Sequence, residues 1–168
     1  ERARRVGVAY SIFFKVLRYA SDAEQVCRHV ERHRPPEGQA VGWRTVQPLL
    51  LPTIPSAEFT AEELTLFAIG GQAQFADALV DFASVHNHLV NLSENYRVRQ
   101  EALARGRLQN RVAGRPDNDL EVDEDIVVQL AQRLLVLARD AQPEVEDLAH
   151  GIGDRLSRLL DNDPRFRG

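Results

Sequence analysis

Methionine is missing altogether, and cysteine, lysine and tryptophan occur once each, as Cys27, Lys15 and Trp43. A single cysteine excludes an internal disulfide and a thiolate zinc cage built from one chain, so a reducing compartment is the simpler setting. No run of about 18 apolar residues is present, so nothing reads as a membrane span. There is no signal-peptide pattern either. A glycine-rich phosphate loop is missing too: Gly70-Gly71 has neither the lysine nor the preceding strand that such a loop requires. Arginine with almost no lysine points to a GC-rich, bacterial genome. The lack of methionine, with a start at Glu1, gives the expectation of a fragment of a longer protein.

What is present suits a folded domain. The 168 residues are enough for one self-sufficient core, and 43% hydrophobic with 27% charged residues argues against wholesale disorder. The net charge of −4 gives no global attraction to nucleic acid, so such binding would need a local basic patch.

The hydrophobic spacing predicts an all-α helical bundle. From residue 2 to about 34 there is no proline, and two apolar stripes adjoin. One runs through Val6, Ala9, Phe13, Val16, Ala20, Ala23, Cys27 and Val30. The other runs through Ile12, Val16, Tyr19, Ala23, Val26 and Val30. The three-four spacing is that of a helix packing along its whole length, as in a coiled coil. Pro35-Pro36 ends it, because proline cannot continue the backbone ladder. Residues 35–60 then read as an ordered proline-rich connector, with Trp43 and Leu49, Leu50 and Leu51 tucked onto the bundle.

A short helix over 61–69 has a strong start: Thr60 caps, Glu63 reaches back and Phe59 staples onto Leu64. It exits through Gly70-Gly71. A second spine helix over about 72–105 carries the seam Ala78, Phe82, Val85, Leu89, Leu92, Tyr96 and Leu103. A polar loop from Gly106 follows. Asp123 is expected to cap a helix over about 123–141, burying Ile126, Val127, Leu130, Leu134, Leu137 and Ala138. Pro143 opens a last helix over about 143–161. Residues 1–168 read as a single helical-bundle domain.

The chemistry-bearing candidates are few. His29 and His33, four apart on one helix, have a spacing that can bind a metal, but no third ligand is marked. Arg28-His29-Val30-Glu31-Arg32-His33 resembles the Arg-polar-x-x-x-His signature of the HEPN ribonuclease family, whose members are helical bundles that cleave RNA, usually as dimers. The resemblance implies Arg28 and His33 as the catalytic pair, with His29 at the polar position. Histidine would serve as general acid or base, and arginine would steady the phosphate. It covers six of the 168 residues. In the family the motif sits near the last helices, whereas here it ends the first. Asn87, His88, Asn91 and Glu94 form a polar stripe on the second spine helix, a wet face or a binding groove.

Charge layout carries more. Arg2, Arg4 and Arg5 open the first helix, and Arg97, Arg99, Arg105 and Arg107 crowd the end of the second. If the spine helices ran antiparallel, both clusters would meet at one end of the bundle. The expected function is therefore a non-enzymatic helical interaction or scaffold module with no cofactor. Its partner would be another protein or a second copy, since the two-stripe face of the first helix is wider than one partner needs. A cytoplasmic place is expected, with an anionic membrane surface as a further candidate partner. The alternatives are a HEPN-like ribonuclease using Arg28 and His33, and nucleic-acid binding through the arginines.

Overall fold

The computed structural model describes residues 2–49, 54–69 and 71–160, and of Arg2 the backbone alone. The order is α1 (Arg2–Arg32), α2 (Ala61–Ile69), α3 (Ala73–Ala113), a 3-10 turn (Asn118–Leu120) and α4 (Glu121–Leu159). The fold is an all-α helical bundle, with no strand among the described residues. No helix among them is long and apolar enough to cross a membrane. The chain forms two compact units: Glu1–Glu24, Ile54–His88 and Ala141–Gly168 make the first, Gln25–Thr53 and Leu89–Asp140 the second. Each of the three long helices contributes residues to both.

The core of the first unit joins Ala9, Ile12 and Val16 of α1, Leu66 and Phe67 of α2, Phe75 and Leu79 of α3, and Ile152 and Leu156 of α4. Phe67 and Phe75 meet edge to face at 4.7 Å between ring centroids, the arrangement favoured by the aromatic quadrupole. Farther along both helices, His86 of α3 lies against Tyr19 and Asp22 of α1. The α1 and α3 segments of this unit thus run in the same direction, so the antiparallel pairing does not occur. The chain from His33 to Gln72, holding the connector and α2, is long enough for the return that parallel neighbours require.

In the second unit, α1 buries Val26, Cys27 and Val30, α3 buries Leu89, Tyr96 and Leu103, and α4 buries Val127, Leu130, Ala131, Leu134, Leu135 and Ala138. The connector is pinned here by Tyr96, whose hydroxyl donates to the carbonyls of Val46 and, at 3.3 Å, of Trp43. Val46 is buried, and Trp43 is half-buried with the guanidinium groups of Arg44 and Arg107 over its ring at 4.4 and 5.1 Å. Leu49 is half-buried, whereas Leu50 and Leu51 lie outside the described residues.

The sequence reading is corrected at four places. Both stripes of α1 are covered within the chain: all their members are buried except Val6 and Phe13, which are half-buried. The width of that face is therefore no evidence of a partner. Next, α3 runs through Gly106 to Ala113 and stops only at Gly114, whose φ of +65° permits the left-handed exit. The Arg115 amide closes that exit on the Asn110 carbonyl at 2.8 Å. Gly106 packs closely there: a Cβ would stand 3.2 Å from a methyl of Leu120, which would have to shift slightly.

The third correction is that the two C-terminal helices are one, α4, with Pro143 inside it. A buried line continues through Leu134, Ala138, Ala141, Val145, Ile152 and Leu156. Burial of that line outweighs the helix penalty of about 3 kcal/mol for an interior proline. Last, Asp123 is not a cap. It lies in the first turn of α4 with Glu121 and Glu124, where negative charge meets the helix dipole, and Ile126 in the next turn is exposed.

Candidate functional site

The α1–α2 pair is assembled by one buried carboxylate. Thr60 and Glu63 form the expected capping box: the Glu63 amide donates to Thr60 Oγ1 at 3.3 Å, and the Thr60 amide donates to Glu63 Oε2 at 2.7 Å. Glu63 also accepts from Ser11 Oγ at 2.6 Å and from Lys15 Nζ at 2.8 Å. Burial pushes the Glu63 carboxyl up. The hydrogen bonds from Lys15, Ser11 and Thr60, with the charge of Lys15, outweigh it and hold the group below the usual carboxylate range. The expected exit of α2 is present at Gly71, φ +75°, where the Gln72 amide returns to the Phe67 carbonyl at 2.9 Å. Gly70 lies outside the described residues.

So fixed, α2 presents Glu62, Thr65, Leu66 and Ile69 beside Arg4, Arg5 and Val8 of α1, around a groove of about 430 Å³. The α2 members are spaced i, i+3, i+4 and i+7, one helical face. Val8, Leu66 and Ile69 are apolar, and Ile69 is 80% exposed. On the rim, Arg4 Nε donates to Glu62 Oε1 at 2.8 Å, and that bond raises the guanidinium's already high value further. Arg5 is exposed and makes no ion pair among the described residues. Thr65 spends its hydroxyl on the Ala61 carbonyl at 2.6 Å. The lining thus has no nucleophile next to a base. It offers apolar surface under a positive rim.

The expected binding arginines are divided between the two units. Arg4 and Arg5 belong to the first unit, Arg97, Arg99, Arg105 and Arg107 to the second. Arg97 is held on its own helix by Glu94 at 2.6 Å and Glu101 at 2.8 Å, which raise its value. Arg107 pairs with Glu124 and, at 3.5 Å, with Asp117, tying α3 to the start of α4. Arg99 and Arg105 are exposed on α3.

The polar stripe also divides. Asn87 clamps the connector: its Oδ1 accepts from the Ala57 amide at 2.6 Å, and its Nδ2 donates to the Ala57 carbonyl at 3.0 Å. His88 and Asn91 are exposed, and Glu94 is taken by Arg97. At the end of α1, His29 Nε2 donates to the Gln47 carbonyl at 2.6 Å, and His33 Nδ1 donates to the His29 carbonyl at 2.8 Å. The two rings lie 4.5 Å apart, but no group of three or more metal-binding side chains exists among the described residues. Arg28 is exposed on α1, and His33 follows the helix's last residue, Arg32.

Sequence reasoning found Arg4 and Arg5 but missed the α2 half of the groove. The signal was available in the i, i+3, i+4, i+7 face of a helix whose start was already legible. It was obscured because spacing alone does not show which face of so short a helix stays uncovered. No family model, no curated protein and no solved structure matches the chain.

Proposed function

We propose that this chain is a non-enzymatic helical interaction module, and that its α1–α2 groove receives an acidic amphipathic helix of a protein partner. The observation that carries the reading is Ile69, a large apolar side chain left in water beside Arg5, which makes no ion pair among the described residues. Full burial of such a side chain is worth about 1.5–3 kcal/mol. A helix lying in the groove would cover Val8, Leu66 and Ile69 with apolar residues one turn apart, while its carboxylates met Arg4 and Arg5. The rim carries two guanidinium groups against one carboxylate, and that surplus of positive charge favours an acidic partner.

The test places a photo-crosslinking amino acid at position 69 of the full-length protein in its own host. The reading expects an adduct whose captured peptide is an acidic amphipathic helix, and expects Arg5→Glu to abolish it. An adduct only to a second copy would make the module a homo-oligomer instead. An adduct only to lipid would make it a membrane-surface module. Either result, or none at all, overturns the proposed partner.

A further inference from the structure

His86 is fully buried on α3, and its two ring nitrogens have different surroundings. Nδ1 lies 3.2 Å from Asn87 Oδ1. The Ala57 backbone fixes the orientation of the Asn87 amide, so that atom is the carbonyl oxygen and can only accept. The neutral ring therefore carries its hydrogen on Nδ1. Nε2 is left as a bare acceptor with no hydrogen-bond partner among the described residues, and it stands 4.0 Å from a carboxylate oxygen of Asp22 on α1. Two acceptors face each other across that gap, and one proton would satisfy both.

We propose that His86 and Asp22 form a proton-operated latch between α1 and α3: the pair stands open while the ring is neutral, and a proton taken up at Nε2 closes it into a hydrogen-bonded ion pair. The proton is exchanged with solvent at the Asp22 end, because the Asp22 side chain is partly exposed. Closure keeps the Nδ1–H bond to Asn87. The ring then bridges Asp22 to the residue that clamps Ala57, the chain entering α2.

The groups around the ring fit this role. From α1, Tyr19 lies at 5.2 Å between ring centroids, and Asp22 is the charge acting on the imidazole. From the connector, Glu58 approaches through its backbone amide, which donates to the Tyr19 hydroxyl at 3.4 Å. Among the described residues, Asp22 is the one charge that shifts the ring. Burial pushes the imidazole below the ordinary histidine value, while Asn87 and Asp22 pull it partway back. The folded chain thus takes the proton later than an unfolded one as pH falls.

The experiment is an NMR titration of the His86 ring in the whole chain and in Asp22→Asn. The latch predicts a midpoint below about 6.5 in the folded protein. It predicts a still lower midpoint in Asp22→Asn, which loses the attracting charge. A second reading comes from the native protein alone: at acid pH a slowly exchanging Nε2–H appears, with cross-relaxation to the Asp22 methylene. A midpoint unmoved by Asp22→Asn refutes the latch. So does unfolding before the ring resonance shifts, because the folded chain would then have no closed state. A histidine whose pair never closes would feel the Asp22 charge but would not give the acid-specific Nε2–H with cross-relaxation to Asp22.

Discussion

The second unit rests on single polar atoms placed within apolar surroundings. Tyr96 is the clearest case. Burial pushes its phenol up to about 12, so the hydroxyl stays a donor at all ordinary pH, and its acceptors are the Val46 and Trp43 carbonyls of the connector. Tyr96→Phe keeps the ring but leaves both carbonyls without that donor. We expect a loss of about 1–3 kcal/mol in urea unfolding, with near-unchanged far-UV circular dichroism. A loss below a few tenths would mean the carbonyls find water and the connector is not held there. The connector was legible as ordered from its apolar content. Which side chain held it was not, because Tyr96 reads as one more apolar member of the α3 seam.

At the scale of elements, Pro143 is the position most at odds with its surroundings. It occupies a helix interior, and its own side chain is exposed while Ala141 and Val145 on either side are buried. Pro143→Ala should restore a backbone donor and remove the ring's clash with the preceding turn. We expect a gain of about 1–3 kcal/mol, read as a higher urea midpoint with an unchanged slope. Destabilisation would show that α4 depends on a bend at this residue. Sequence pattern placed a helix break at Pro143, since local propensity cannot register burial on both sides. The seam of α3 shows the same limit. One buried line of it runs through Phe75, Leu79, Phe82, His86, Leu89, Ser93 and Tyr96, an unbroken four-three alternation. His86 and Ser93 look polar in sequence, so the eye shifts to Ala78, Val85 and Leu92, which are only half-buried. The latch histidine was hidden by that shift: it lies in the seam, where a hydrophobic residue was expected.

For the molecule as a whole, the helical class and the start of every helix but α4 could be read from spacing and caps, while partners of the charged groups could not. Those partners come from other elements: Glu63 meets Ser11 and Lys15 across about fifty residues. They also set the response to acid. Glu63 is held below its unfolded value, so its contribution is fully present above about pH 4.5 and is lost as pH falls through the lower folded value. Glu31 and Glu94 are lowered in the same direction by Arg34 and Arg97. Both are more exposed than Glu63, so solvent screens their share. His86 acts earlier. Below about 6.5 the unfolded chain binds a proton that the folded chain still refuses, so stability begins to decline there. Urea midpoints measured from pH 8 to pH 3 should therefore be flat to about 7, fall gently toward 5 and fall steeply below 4.5. Glu63→Gln should lower the neutral plateau and flatten the steep limb, because its buried amide cannot be protonated in that range. Asp22→Asn should deepen the gentle decline and leave the steep limb alone. If Glu63→Gln kept the full acid limb, the carboxylate joining α1 to α2 would not be what acid removes.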